Sequence, residues 1–115
     1  MDVKKAKHVF FLGIGGIGMS AIARYFHQKG TPVSGYDKTY SKITNDLEEE
    51  GIPIIYKEEF ERVSNEIDLV IWTPAIKENN PLYTYFSENE IPLKKRSEVL
   101  GQLTLGFKTI AVAGT

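Results

Sequence analysis

The run Gly13-Ile14-Gly15-Gly16-Ile17-Gly18 has the residue types and spacing of a phosphate-holding turn. It follows the apolar run Val9-Phe10-Phe11-Leu12 and precedes residues 17–29, where apolar side chains recur at helical steps. The pattern predicts a strand, a glycine turn and a helix start. In such a turn Gly13 permits the tight bend. Gly15 lets backbone N–H groups approach a phosphate, and Gly18 lets the helix pack close to the strand. Gly16 and Ile17 complete the segment. The helix start offers unpaired N–H groups and the positive end of a dipole, which suit a diphosphate. Asp37, at the end of the next strand-like run, is spaced to accept a hydrogen bond from a ribose or a base edge. Lys38 is a candidate to neutralise diphosphate charge. Thr73, Pro74 and Ala75 leave the end of a later apolar run and offer backbone groups to a base. This is the chemistry of holding a nucleotide diphosphate, and the turn alone does not say which nucleotide. No nucleophile–base set and no carboxylate pair is spaced for acid–base work. His8 and His27 read as structural residues without a metal-type partner.

The elements that must position these residues follow from the pattern. After residues 17–29, whose expected buried face is Ile17, Ala21, Ile22, Tyr25 and Phe26, Gly30 closes the helix and a strand spans 33–36. Ser41 caps a helix reaching about residue 50, with Ile43 and Leu47 inward and Gly51 closing it. A strand over 52–56, a short helix over 57–63 and a strand over 69–72 come next. Asn80 and Pro81 open a further helix with Leu82, Tyr85 and Phe86 inward. A short strand over 91–94 and a helix capped by Ser97 end the series. Strands alternating with helices predict an α/β fold, a Rossmann-like doubly wound parallel sheet of about five strands. In such sheets ligands lie outside the carboxyl ends of the strands. Those ends, 13–18, 37–39, 56–58 and 73–76, are expected to line one crevice.

Composition narrows the class. The 115 residues carry a formal net charge of −1, so there is no electrostatic case for nucleic acid or an anionic membrane. The absence of cysteine excludes disulfides and thiolate metal sites. No signal peptide or apolar span is visible, and a cytoplasmic location is the expectation.

A family resemblance rests on residues quoted in order. His8-Val9-Phe10-Phe11-Leu12-Gly13-Ile14-Gly15-Gly16-Ile17-Gly18-Met19-Ser20-Ala21-Ile22-Ala23 resembles the opening of the UDP-N-acetylmuramate–L-alanine ligases, the branch of the Mur ligases that adds the first amino acid. Gly35-Tyr36-Asp37 is similar to the family's second-strand end, with Tyr36 in place of a commoner serine. Thr73-Pro74-Ala75-Ile76 is similar to its fourth-strand exit. Asn80-Pro81, Lys95-Arg96-Ser97-Glu98-Val99-Leu100 and Ile110-Ala111-Val112-Ala113-Gly114-Thr115 match later segments in order.

The resemblance implies a division of labour. Residues 1–106 would form the N-terminal domain that holds UDP-N-acetylmuramic acid through Gly13, Gly15, Gly16, Ile17, Gly18, Asp37, Lys38, Thr73, Pro74 and Ala75. Residues 107–115 would be the first strand of a central domain, with Gly114 and Thr115 opening its ATP-binding loop. In the family the whole enzyme uses MgATP to phosphorylate the muramoyl carboxylate, and the amine of L-alanine attacks the acyl phosphate. The chain alone is then expected to need no cofactor and to be inactive, with ATP, magnesium and L-alanine engaged only by the full-length parent in peptidoglycan synthesis. An NAD-binding Rossmann domain of an oxidoreductase, a related ligase that recycles murein tripeptide, and a non-catalytic nucleotide sensor are the alternatives.

Overall fold

β1 (Val9–Leu12) is buried at every position. Val9 and Phe11 enter one hydrophobic cluster, while Phe10 and Leu12 enter another. An unbroken apolar strand is what a parallel sheet covered on both faces requires. The structure is a computed structural model and describes residues 3–77 and 79–105. The expected strand over 109–113 and the loop start at Gly114 and Thr115 lie outside those residues.

β1 is the central strand of a five-stranded sheet in the order β3-β2-β1-β4-β5. The others are β2 (Val33–Tyr36), β3 (Ile54–Ile55), β4 (Leu69–Trp72) and β5 (Leu93–Lys95), and every neighbouring pair is parallel. Val9 lies level with Val33 on one side and Leu69 on the other. The helices are α1 (Ile17–Gln28), α2 (Lys42–Glu49), α3 (Pro81–Glu88) and α4 (Arg96–Leu105). Phe26 of α1, Leu47 of α2 and Val99 of α4 share the cluster on one face of the sheet. Leu82 and Phe86 of α3 cover the other face, where Phe86 meets Phe10 at 5.2 Å between ring centroids. The expected doubly wound α/β architecture is therefore present.

The local chemistry at the helix ends explains their lengths. Ser41 and Thr44 form a reciprocal capping box at the start of α2. Asn80 accepts from the Leu82 and Tyr83 amides at the start of α3, with Pro81 at the first helical position. Gly30 and Gly51, at φ +93° and +99°, follow the ends of α1 and α2 in the left-handed region.

Several expectations are corrected. Ile17 is 83% exposed and Ala21 is also exposed, so neither belongs to the buried face of α1. That face is Met19, Ile22, Ala23 and Phe26. At about 100° per residue, position 17 falls nearly opposite positions 19 and 26. β3 is two residues long instead of five. Pro53 has no N–H to give, and its carbonyl accepts from Gly35 just before the strand. Residues 57–63 hold only a short 3-10 turn, Phe60–Arg62. Phe60 and Val63 are too few apolar anchors to offset the cost of nucleating a helix there. β5 starts later than expected, after Pro92, and α4 begins at Arg96, which puts Ser97 inside the helix.

Candidate functional site

A cavity of about 540 Å³ opens at the carboxyl end of the sheet. Gly13 and Gly16 reach it from the turn after β1, and Tyr36, Asp37 and Lys38 from β2 and its exit. Glu58 enters from beyond β3, Thr73, Ala75 and Ile76 from beyond β4, and Asn80 and Pro81 from the start of α3. The four strand exits named from the sequence thus converge. The cavity sits between β1 and β4, where the chain passes from one face of the sheet to the other. That is the switch point at which such sheets bind ligands.

The glycine turn is tightly bonded. Gly13, at φ +91°, and Ile14 both donate to the carbonyl of Tyr36, at 2.8 and 3.0 Å. Gly16 donates to the Gly13 carbonyl at 3.2 Å. Gly15 donates to Asp37 Oδ2 at 2.8 Å. The amides open to a phosphate are therefore not those of the glycine turn itself. They are the first-turn amides of α1, on Ile17, Gly18 and Met19, ahead of the first helical bond from Ser20 to Gly16. Gly16 provides no side-chain cap. Met19 lines the cavity beside Gly16.

The structure gives Gly15 a steric reason to be glycine. A Cβ there would lie 2.7 Å from Asp37 Oδ2 and 3.0 Å from Thr44 Cγ2. Its bare backbone admits the Asp37 carboxylate and the α2 start. Asp37 also accepts from the Thr39 amide through Oδ1 at 3.0 Å. Each carboxylate oxygen already holds one backbone N–H, so only the remaining lone pairs face a ligand. A Cβ on Gly18 would meet Arg96 Nη1 at 2.9 Å, so the Arg96 guanidinium is its close neighbour.

Tyr36, which departs from the family's commoner serine, has a bonding role in the fold. Its ring is buried, and its hydroxyl donates to Glu58 Oε1 at 2.9 Å. Burial and the Glu58 carboxylate push the phenol up to about 12, so it is a proton donor over the ordinary pH range. Gly35, on the same strand, leaves room for Ile14. A Cβ there would stand 2.5 Å from Ile14 Cδ1.

Of the residues named from the sequence, Gly13, Gly16, Asp37, Lys38, Thr73 and Ala75 line the cavity. Gly15, Ile17, Gly18 and Pro74 do not line it, although Ile17 and Gly18 carry open amides beside it. Sequence reasoning placed Asn80 as a helix cap and missed that it faces the cavity. The signal available was its position a few residues past the β4 exit. Lys38 and Lys77 share the cavity lining with Asp37 and Glu58, so its charged side chains balance in sign. Among the described residues no cluster of three or more histidine, cysteine or acidic side chains is arranged to hold a metal ion. No described helix is long and apolar enough to cross a membrane.

Residues 8–108 match the family described as "Mur ligase family, catalytic domain". A UDP-N-acetylmuramate–L-alanine ligase from Phocaeicola vulgatus is 48% identical over 100% of this chain and 26% of its own length. The chain spans about a quarter of the length of the curated relatives it matches. The crystal structure of UDP-N-acetylmuramate–alanine ligase from Thermotoga maritima superposes with a TM-score of 0.77 at 34% identity, covering 83% of this chain and 22% of that one. A murein peptide ligase from Psychrobacter arcticus has a TM-score of 0.75 at 24% identity, covering 84% of this chain and 20% of that one, a likeness of fold alone.

Proposed function

The chain belongs to the Mur ligase family, and on that premise we propose that it holds UDP-N-acetylmuramic acid for an ATP-dependent ligase that joins L-alanine to the muramoyl carboxylate. The observation that carries this reading is the uncapped start of α1, with the amides of Ile17, Gly18 and Met19 open beside the switch-point cavity. A diphosphate satisfies those donors and meets the positive end of the helix. The nucleoside lies in the cavity, against the Asp37 and Lys38 exit, Glu58 and the Thr73–Ala75 backbone. Asp37 fixes the Gly15 amide and gives its outward lone pairs to the ribose or the base. Glu58, already holding the Tyr36 phenol, has a second carboxylate oxygen for a ring N–H of the base.

This chain's contribution is binding and orientation. It holds the nucleotide so that the sugar, and with it the muramoyl carboxylate, projects past the α1 start. ATP, magnesium and L-alanine act on residues outside 1–106 in this proposal, and the domain boundary near residue 106 is part of it. The identity to the L-alanine ligases over the full chain favours them over the murein peptide ligases.

The test is calorimetry of the purified chain with UDP-N-acetylmuramic acid and, separately, NAD. Binding of the UDP-sugar with NAD weaker by an order of magnitude or more is expected. Preference for NAD, with adenosine nucleotides competing, would replace this reading with that of an oxidoreductase cofactor domain.

A further inference from the structure

Three polar side chains in the cavity lining act on one another. Tyr36 ends β2, Glu58 follows β3, and Asn80 caps α3. Tyr36 lies level with Ile55 in the β2–β3 pair, which brings the segment after β3 beside the phenol. Asn80 Oδ1 is committed to the α3 start, where it accepts from the Leu82 and Tyr83 amides at 2.8 and 3.4 Å. The NH2 group of Asn80 is the part left to face the phenol, and the side chain acts on the Tyr36 hydroxyl as a donor does, favouring its ionised form. The phenol hydrogen goes the other way, to Glu58 Oε1 at 2.9 Å. The Tyr36 ring is buried in the cluster that holds Leu82 and Phe86, so packing fixes where its hydroxyl stands. The bond therefore has one direction: Tyr36 gives and Glu58 takes. Among the described residues Glu58 enters no other hydrogen bond and no ion pair.

We propose that Tyr36 is a positioning residue that orients Glu58, so that the cavity selects a pyrimidine with a ring N–H, as in uracil, over one with a bare ring nitrogen, as in cytosine. This rests on the nucleotide reading of the cavity. With Oε1 tied to the phenol, Oε2 is the atom left for a base, and a carboxylate oxygen only accepts. It takes the N–H at position 3 of uracil and repels the lone pair that cytosine carries there. The donor on cytosine is its amino group, one ring position away. A nucleotide held by its ribose and phosphates cannot slide to offer it. The fixed direction of the Tyr36 bond has a further consequence for an amide at position 58. Such an amide must keep its oxygen on the phenol and turn its NH2 to the base.

The experiment is calorimetry with UDP and with CDP on wild type, Glu58→Gln, Tyr36→Phe and the double variant, with thermal melting as the check on folding. Wild type is expected to bind UDP about tenfold or more tighter than CDP. Glu58→Gln weakens UDP about tenfold and strengthens CDP severalfold, because its NH2 now faces the base. In the double variant no phenol holds the amide oxygen, so the oxygen can turn outward. UDP then regains about threefold or more over Glu58→Gln alone. A merely structural role for Tyr36 cannot produce that gain, since losing the phenol would only add to the loss. Tyr36→Phe alone lowers the preference for UDP over CDP severalfold. Glu58 is exposed, so Glu58→Gln tests the direction of the bond even where a Tyr36 variant does not fold. Wild type that binds UDP and CDP equally, or Glu58→Gln that weakens both alike, overturns the assignment and leaves the nucleotide reading standing. A folded double variant no better for UDP than Glu58→Gln also overturns it. Wild type that binds neither nucleotide overturns the site reading and this assignment with it.

Discussion

Gly15, Asp37 and Thr44 form a knot in which no atom can be added to the glycine without moving the other two. Gly15→Val places a branched side chain into the Asp37 carboxylate, so the turn and the α1 amides must shift. Loss of UDP-sugar binding by calorimetry is expected, with a lower melting temperature in a protein that still folds. Unchanged affinity would remove this turn from the site. Asp37→Ala leaves the Gly15 and Thr39 amides without their acceptor. The expected cost is about 1–3 kcal/mol of stability in urea unfolding, together with weaker uridine nucleotide binding. The position of Asp37 was legible in the sequence from its spacing after the glycines. Its partner was not, because the bond to Gly15 spans 22 residues and depends on the register of β1 against β2. Tyr36 gives a pH prediction. Its pKa in the folded chain, about 12, lies above the unfolded value of 10.0. The protonated phenol therefore stabilises the fold fully below pH 10 and progressively less as pH rises toward 12. Tyr36→Phe is expected to flatten the alkaline fall in stability, measured as urea midpoints between pH 9 and pH 11. An identical fall in the variant would place its cause elsewhere.

Caps and turns decide where the elements begin, and they were the most readable features at that scale. Ser41, Asn80-Pro81, Gly30 and Gly51 each stand where their residue types predict. Ser41→Ala removes one half of the α2 capping box and is expected to cost about 1 kcal/mol by urea denaturation. UDP-sugar affinity should stay within twofold, because Ser41 does not line the cavity. A large loss of affinity would mean that the α2 start moves the Asp37 exit. β1 and β4 were readable because both faces of a central parallel strand are covered, which leaves long apolar runs. The edge strands β3 and β5 were readable as strands but not in their bounds, because proline beside each one shortens the pairing at a place that hydropathy does not mark. The buried face of α1 was misplaced by treating Ile17 as its anchor. The structure leaves that residue in solvent beside the open amides.

The order of strands turns these local features into a site. Because β1 lies between β2 and β4, the glycine turn, the Asp37 exit and the Thr73 exit meet at one end of the sheet. The α/β alternation was legible over the whole described chain. The polar side chains that close the cavity, Glu58 and Asn80, come from irregular segments whose course no periodicity records. Removal of residues 107–115 is expected to leave UDP-sugar affinity unchanged within twofold, as the proposed boundary near residue 106 requires. A loss on trimming would place the boundary elsewhere. The central claim is that the open amides of α1 receive the diphosphate. The most direct measurement is the 15N–1H spectrum of the labelled chain during titration with UDP-N-acetylmuramic acid. The account predicts the largest downfield amide proton shifts at Ile17, Gly18 and Met19, with smaller shifts at Asp37, Lys38 and Thr73. Shifts centred on any other face of the molecule, with those three amides unmoved at saturation, would contradict it.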